Sequence, residues 1–398
     1  MSGTNKIDPF VLEVFFAKYE FVAEHLLCCS DAESITMKDL LALGDEEALN
    51  LWDNLSLGYT ECKGLPQLRA ECAKDHPGLD PECTLCFAGA EEGIYCTFKT
   101  LLEPSDHAIV VTPCYQSLLS IPDSLCHTSS LDLTHSDGWS LDLTALRALI
   151  RPGVSKLIVV NFPHNPTGTI ISLAQQGELI AVAREFGLWL FCDEVYRGVE
   201  RDPTALLPTI ASVYEKGISL GAVSKVYGLA GLRLGWICCS DQSLISQVAD
   251  NKHYLSICNS APSEILSLIA MRSRATVIGR IQGIIKANEQ YLATFMGRYP
   301  HLLSWTAPQG GCCGFMKMHL PEGVDLSAVA ERLVNEHGVL ILPGDNFPIT
   351  DKASKVLSQH FRIGLGRANF PSVLDAFETA LPRVLQDMGV DFGQMFAQ

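Results

Sequence analysis

Basic residues are scarce in this chain of 398 residues, in which 29 lysines and arginines stand against 45 aspartates and glutamates. The resulting net charge of −16 argues against nucleic acid or an anionic membrane surface as a partner. Long apolar runs are missing as well, so we expect no membrane-spanning helix. Residues 1–9 lack the apolar core of a secretory signal, and residues 396–398 form no recognised address. We therefore expect a cytoplasmic protein.

The short motifs of several large enzyme classes are also absent. The chain has no GxGxxG after a strand-like run, no GxxxxGK followed by Ser or Thr, no HExxH and no GxSxG. Its fifteen cysteines contain a single CxxC, at residues 83–86, with no second ligand pair at the spacing of a zinc site. We expect no metal, and we interpret the cysteines as small apolar residues in a reducing compartment.

What the chain does have is an alternation of strand-like and helical patterns. A capping box at residues 172–175 opens one of the helices. The alternation predicts an α/β fold with a mostly parallel central sheet and helices on both faces. The strand-like runs are at about residues 107–111, 157–162, 188–192, 217–223 and 233–239.

The pattern changes after residue 285 or so. A long amphipathic helix is expected at about residues 276–297, followed by an α+β region. A chain of this length suits two domains better than one ordinary core. We expect a large domain at residues 46–284 and a small domain formed by residues 1–45 and 285–398.

Polar residues follow two of the strand-like runs directly. Asn165 lies in a Pro/Asn/Gly cluster after the run that ends at residue 162, and Asp193 and Tyr196 follow the run that ends at residue 192. The carboxyl ends of parallel strands form the edge at which open α/β sheets bind ligands. These side chains are therefore candidates for one ligand site.

A lysine after the next run is the most informative residue. Residues 219–236 predict a short buried strand, a turn with Lys225, several glycines, and then Arg233. A lysine amine can form a Schiff base with an aldehyde, and an arginine can bind a phosphate through two hydrogen bonds. Pyridoxal 5'-phosphate (PLP) carries both groups. Alone, the stretch is equally compatible with an ordinary basic surface turn.

Seven segments, in order and at similar spacing, resemble those of the fold-type-I PLP-dependent enzymes, specifically the class I/II aminotransferases. The resemblance covers roughly residues 30–385. Residues 29–41 look like those of the branch that includes capreomycidine synthase-like enzymes. The segments are Tyr59 with residues 64–69, then residues 89–92, 113–115, 165–168, 193–196 and 224–233, and Arg362.

The resemblance implies catalytic roles for three residues. Lys225 would carry the cofactor as a Schiff base and, once released, move a proton. Asp193 would keep the pyridine nitrogen protonated, and Tyr196 would donate its hydroxyl to the 3'-oxygen, which Asn165 would also bind. Without the resemblance, Asp193 could equally be a helix cap, Tyr196 a half-buried aromatic and Asn165 a turn former.

The resemblance also implies how the cofactor phosphate and ring are held. Arg233 would neutralise the phosphate, together with the backbone amides of Ala90 and Glu91 at the N-terminus of a helix. Tyr115 would stack on the ring. Tyr59 would reach the phosphate from a partner subunit, which implies an obligate homodimer.

The substrate would be held through its α-carboxylate. Arg362 lies in a setting that matches the carboxylate arginine of the family and would bind this group in a planar fork, beside Asn165. Without the resemblance, Arg362 could be an arginine in a surface ion pair.

Two departures from the family pattern stand out. Many relatives have a hydroxyl residue three positions before the lysine, where this chain has Ala222; Ser224 and Ser219 are the candidates to replace it. Glu91 stands where many relatives have an uncharged residue, and a phosphate would repel a carboxylate aimed at it. Its side chain is expected to point away, or to meet a cationic substrate.

We therefore expect a PLP-dependent aminotransferase that moves the α-amino group of an L-amino acid to a 2-oxo acid. The alternative is a PLP-dependent cyclase or β/γ-elimination lyase, since the fold does not fix the reaction. A non-catalytic binding protein is a remote alternative. Regulators with this fold carry a DNA-binding domain ahead of it, whereas here only about 45 residues precede the large domain.

Overall fold

The computed structural model describes residues 6–348 and 357–393. Its helices are α1 Val11–Tyr19, α2 Met37–Leu41, α3 Glu46–Asp53, α4 Pro66–Ala73, α5 Ala90–Leu101, α6 Ser117–Leu125, α7 Leu143–Leu149, α8 Leu173–Phe186, α9 Ile210–Val213, α10 Gln242–Lys252, α11 Ala261–Arg272, α12 Arg274–Arg298, α13 Leu326–His337 and α14 Phe370–Asp387. Its strands are β1 His25–Leu26, β2 Thr84–Phe87, β3 His107–Thr112, β4 His127–Asp132, β5 Ser155–Asn161, β6 Trp189–Asp193, β7 Gly217–Ala222, β8 Gly235–Cys238, β9 Leu303–Trp305, β10 Cys313–Met318, β11 Val339–Leu340, β12 Leu342–Pro343 and β13 His360–Gly364.

The central sheet has seven strands in the order β2-β8-β7-β6-β5-β3-β4. Neighbours from β7 through β6, β5 and β3 to β4 are parallel. Strand β8 runs antiparallel to both of its neighbours, β2 and β7. The predicted mostly parallel sheet is confirmed, and each of the five predicted runs overlaps one of its strands.

Both faces of the sheet are buried, and the sequence of β5 shows why. Leu157 and Val159 belong to one hydrophobic core, whereas Ile158 and Val160 belong to the other. Successive side chains of a strand point to opposite faces, so an unbroken apolar run requires cover on both sides. Helices supply that cover, as the alternation predicts.

Two helices match their sequence signals closely. Helix α8 begins with the predicted capping box, in which Ser172 accepts a hydrogen bond from the amide of Gln175, and ends at Gly187 in the left-handed conformation. Helix α12, at residues 274–298, is the predicted long helix. It spans residue 284, so the proposed boundary between the two domains falls inside a continuous helix.

A four-stranded antiparallel sheet in the order β12-β13-β10-β9 lies in the later part of the chain, beside α13 and α14. Strand β1 of the N-terminal segment pairs in parallel with β11. This pairing brings residues 25–26 to the same region, although they are remote in sequence. We keep the division into residues 46–284 and residues 1–45 with 285–398 as a proposal.

Across residues 6–348 and 357–393, no helix is both long and apolar enough to cross a bilayer.

Candidate active site

A cavity of about 390 Å³ lies where the carboxyl ends of β5, β6 and β7 meet the start of α5 and strand β13. This is the sheet edge at which open α/β folds bind ligands. Every residue that we predicted for the site lines this cavity except Tyr59. Those residues are Ala90, Glu91, Tyr115, Asn165, Asp193, Tyr196, Ser224, Lys225, Arg233 and Arg362.

Lys225 lies in the turn after β7 and extends into the cavity. Its Nζ donates a hydrogen bond to Ser30 Oγ at 3.1 Å and lies 6.0 Å from the centroid of the Tyr196 ring. The Tyr196 hydroxyl donates to the Ser30 carbonyl oxygen at 3.1 Å. Ser30 therefore contacts both residues, and the sequence analysis did not identify it.

Asp193 is the last residue of β6 and is buried. Burial raises the pKa of its carboxyl group to about 6, while the amide of Val195, which donates to Oδ1 at 3.1 Å, and the positive charge of Lys225 oppose the rise. A buried carboxylate is costly unless a cation or donor faces it. The protonated ring nitrogen of PLP would be such a partner.

The residues predicted to hold a phosphate bring backbone groups and one arginine together. Gly89, with φ of 98°, precedes helix α5, and a Cβ built on it would lie 2.8 Å from Arg233 Nη2. A Cβ on Gly235 would lie 2.6 Å from the amide nitrogen of Ala90. Only glycine permits this close approach of a guanidinium to the N-terminus of a helix, where an anion binds well. The residues present thus fit the phosphate of PLP.

Arg362 lies on β13, and its side chain is buried. Its Nε donates to the Cys28 carbonyl oxygen at 2.8 Å, and its Nη1 donates to Asn165 Oδ1 at 3.2 Å. The backbone N–H of Asn165 in turn donates to Asn161 Oδ1 at 2.7 Å. These bonds orient the guanidinium at the cavity wall and couple Asn165 to it.

The two serines that are candidates to replace the hydroxyl missing at Ala222 have different environments. Ser219 is buried and accepts a hydrogen bond from the amide of Ala211 at 3.0 Å, so its hydroxyl is committed to helix α9. Ser224 lines the cavity. Of the two serines, only Ser224 can replace the contact that Ala222 lacks.

Glu91 and Tyr115 also line the cavity. The Tyr115 hydroxyl donates to Glu13 Oε1 at 2.9 Å, and its ring packs on Phe10 with centroids 5.0 Å apart. Burial raises the pKa of Glu91 to about 7. The Oε2 atom of Glu91 is buried and has no hydrogen-bond partner among the described residues.

The sequence analysis missed the N-terminal contribution to this cavity. Residues 12–20 and 29–31 supply part of the wall, and Arg367 supplies another part. No motif marks residues 12–20, and residues 29–31 are marked only by the resemblance of residues 29–41 to one branch of the family. The only signal in residues 12–20 is helical spacing, because Glu13, Phe16 and Glu20 recur at three and four positions and so share one face of α1 and its end.

Comparison with known proteins agrees with this geometry. The family described as aminotransferase class I and II matches residues 41–372. Capreomycidine synthase of Streptomyces vinaceus is 28% identical over 265 residues, which cover 66% of this chain and 67% of that protein. Arginine–pyruvate transaminase of Pseudomonas aeruginosa is 24% identical over 323 residues, which cover 77% of each protein.

The fold has close neighbours among solved structures. A PLP-dependent aminotransferase from Streptococcus suis matches with a TM-score of 0.86 and 28% identity, covering 96% of this chain and 98% of that one. The fold is therefore that of the fold-type-I PLP-dependent transferases. The chain belongs to the class I and II aminotransferase family. The predicted family, fold, cofactor and enzyme class are confirmed.

Proposed function

We propose that this cavity is the active site, in which the α-amino group of an L-amino acid is moved to a 2-oxo acid with Lys225 as the covalent and proton-carrying residue. The observation that carries the proposal is the convergence of three unlike groups on one cavity. They are an amine, at Lys225, a buried carboxylate, at Asp193, and a guanidinium against a helix N-terminus, at Arg233.

Each residue has a distinct task in this proposal. PLP, when bound, supplies an electron sink that stabilises negative charge at the substrate Cα. Arg362 binds the substrate α-carboxylate and fixes which bond at Cα faces the cofactor. Lys225 Nζ removes the proton from the substrate Cα and delivers a proton to the cofactor carbon that takes up the amino group. Between these transfers Ser30 holds the free amine through its hydroxyl. Tyr196 holds Ser30 through its carbonyl oxygen and places its ring near the amine.

A second function has one observation in its favour. Capreomycidine synthase, similar over two thirds of its length, is named for the synthesis of a product and not for amino transfer. A cyclase or elimination lyase would use the same lysine and arginine, and would differ in which bond at the substrate breaks. Release of a 2-oxo acid without free ammonia, with the amino group kept on the cofactor, separates amino transfer from both alternatives, since elimination also gives a 2-oxo acid but frees ammonia.

We further propose a homodimer in which Tyr59 acts on the partner's site. Tyr59 does not line the cavity of its own chain and is 91% exposed. A hydrogen bond of 3.1 Å from the Thr60 hydroxyl to the Asn259 carbonyl oxygen joins its loop to the segment of residues 254–259. The two loops expose large apolar side chains, which is typical of an interaction surface. They are Leu57, Tyr59, Tyr254, Leu255 and Ile257.

A cytoplasmic location is also part of the proposal. All fifteen cysteines are free, and most are buried. Unpaired cysteines are usual in a reducing compartment and unusual in secreted proteins.

Reductive labelling tests the assignment of Lys225. The purified protein with PLP is treated with borohydride, digested and analysed by mass spectrometry. The proposal predicts one labelled peptide, with the added mass on Lys225, and no label in Lys225→Ala. Label on another lysine in the native protein would overturn it.

A further inference from the structure

The charges of the cavity do not balance once the assigned roles are filled. Five carboxylates and four cationic side chains line it. Asp31 pairs with Arg367, whose Nε and Nη2 donate at 3.0 and 2.8 Å. Under the proposed function, Asp193, Lys225, Arg233 and Arg362 serve the cofactor and the substrate carboxylate. Three carboxylates then have no cation of their own: Glu13, Glu20 and Glu91.

These three residues, which we call the acidic mouth, come from α1 with its C-terminal end and from the first turn of α5, and all three line the cavity. Glu13 and Glu20 are seven positions apart at α1 and its end, so they lie two turns apart on one face, with Phe16 between them. The hydrogen bond from Tyr115 fixes Glu13 toward the wall that carries Glu91, in the first turn of α5.

The protein satisfies these carboxylates only in part, through the hydrogen bond that Tyr115 donates to Glu13. Among residues 6–348 and 357–393, no lysine, arginine or histidine forms an ion pair with Glu13, Glu20 or Glu91. The buried Oε2 of Glu91 has no hydrogen-bond partner among the described residues, and neither has the hydroxyl of its polar neighbour Ser117. A buried carboxylate oxygen without a donor is costly, so a ligand that donates to it would be stabilised there.

We propose that the acidic mouth binds a cationic side chain, so that the substrate is a basic L-amino acid with a guanidinium or ammonium group. The inference rests on the proposed function, because Arg362 must hold the α-carboxylate for the side chain to reach the mouth. Phe16 supports this arrangement, since the Arg362 guanidinium lies 5.8 Å from the centroid of its ring. Charge-assisted hydrogen bonds to carboxylates would then set the specificity.

An acidic substrate would need a different arrangement. Its distal carboxylate would have to recruit Arg367, the one cavity arginine without a role in the cofactor or the α-carboxylate. Asp31 already holds Arg367 through two hydrogen bonds. The acidic mouth would in addition repel the incoming carboxylate.

The test compares matched amino acids on the protein loaded with PLP. L-Arginine and L-lysine are titrated against L-citrulline, which has the length of arginine without the charge, and against L-norleucine and L-glutamate. Binding is read by calorimetry and by the change in the cofactor absorbance. We expect arginine or lysine to bind at least about tenfold more tightly than its neutral counterpart, as one charge-assisted contact would give.

Variants show whether the acidic mouth causes this preference. Glu13→Gln, Glu20→Gln and Glu91→Gln, made one at a time, should each reduce the ratio of basic to neutral affinity. Glu24→Gln, at an exposed glutamate outside the cavity, should leave it unchanged. Equal affinity for citrulline, or tighter binding of glutamate, would overturn the inference while leaving amino transfer intact. If no amino acid altered the absorbance, the proposed function itself would fail.

Discussion

Lys225 Nζ donates a hydrogen bond of 3.1 Å to the hydroxyl of Ser30, a residue 195 positions earlier in the chain. The contact joins the N-terminal segment to the turn after β7, and the same residue accepts from Tyr196 through its carbonyl oxygen. Ser30 is thus a positioning residue for the amine that we assign to proton transfer.

Ser30→Ala should slow proton transfer with little effect on substrate affinity. Loss of one hydrogen bond to the lysine amine corresponds to about 1–3 kcal/mol, or roughly a five- to 150-fold fall in kcat. The Cα-deuterium isotope effect on kcat should rise, because proton transfer becomes more rate-limiting. Ser30→Thr, which keeps the hydroxyl, should restore much of the rate. A kcat and isotope effect equal to those of the native protein would contradict the role.

Gly89→Ala should weaken the binding of PLP. The added Cβ would lie 2.8 Å from Arg233 Nη2 and displace the guanidinium from the phosphate site. Gly78→Ala is a matched control, because Gly78 also has a positive φ of 90° but no heavy atom lies within 4 Å of its built Cβ. Both variants should lose about 1 kcal/mol of stability or more from the backbone conformation. Only Gly89→Ala should raise the PLP dissociation constant, measured by equilibrium dialysis.

Asp193→Asn should stabilise the protein without PLP in a manner that depends on pH. Burial raises the pKa of Asp193 from its ordinary 3.8 to about 6. The folded state therefore favours the protonated acid, and its stabilising contribution is lost as pH rises through about 6. Complete ionisation of Asp193 lowers the free energy of unfolding by about 3 kcal/mol, and an asparagine at this position avoids that loss.

Thermal unfolding measures this effect. Relative to the native protein without PLP, Asp193→Asn should unfold at a higher temperature at about pH 8 and show no such gain at about pH 4. Asp53→Asn, at an exposed aspartate outside the cavity, should show a much smaller difference between these pH values. A pH-independent effect of Asp193→Asn would contradict the raised pKa.

The preference for a basic over a neutral amino acid should increase as pH rises through about 7. Burial raises the pKa of Glu91 to about 7; the Ser117 hydroxyl and Arg233 oppose the rise, and the carboxylates of Glu13 and Asp193 add to it. Glu91 is charged only above this pH, so it attracts a cation there. The measurement is the ratio of arginine to citrulline dissociation constants, in which effects on the shared α-amino and α-carboxyl groups cancel.

Glu91→Gln is the decisive variant for that profile, since it should make the ratio nearly flat between about pH 6 and pH 8. A native ratio that is already flat over this range would exclude Glu91 as the charge that responds to pH.

Mixing two weakened variants tests the dimer. If Tyr59 acts on the partner's site, a heterodimer of Tyr59→Ala and Lys225→Ala contains one site with both native residues. Random exchange of subunits should then recover up to about a quarter of native activity. No recovery, with light scattering showing that subunits have exchanged, would place Tyr59 outside the partner's site.

Local patterns made much of the fold and part of the site predictable. Asn165, Asp193 and Lys225 each follow an apolar run, and parallel strands must end at a common edge, so their convergence follows from the pattern alone. Two strands of the central sheet were missed, both at its edges and each for its own reason. Strand β4, at residues 127–132, lies at the sheet edge and is largely polar, and β2, at residues 84–87, is only four residues long.

Long-range packing decided the rest. Arg362 is recognisable only through the family resemblance, since the sequence pattern of β13 does not indicate which cavity this side chain lines. Ser30, Glu13 and Glu20 reach the site because β1 pairs with β11 and carries the N-terminal segment across the cavity. No local sequence signal encodes that pairing of two-residue strands.

The most direct test of amino transfer at Lys225 is a half-reaction. The protein loaded with PLP is mixed with an L-amino acid from the basic panel in the absence of any 2-oxo acid, and the products are quantified. We predict that one 2-oxo acid is released per active site and that the visible cofactor band is lost. The band should return when a 2-oxo acid is added, and Lys225→Ala should show none of these changes. A cyclised or eliminated product, formed repeatedly without the 2-oxo acid and without lasting loss of the band, would contradict amino transfer at Lys225.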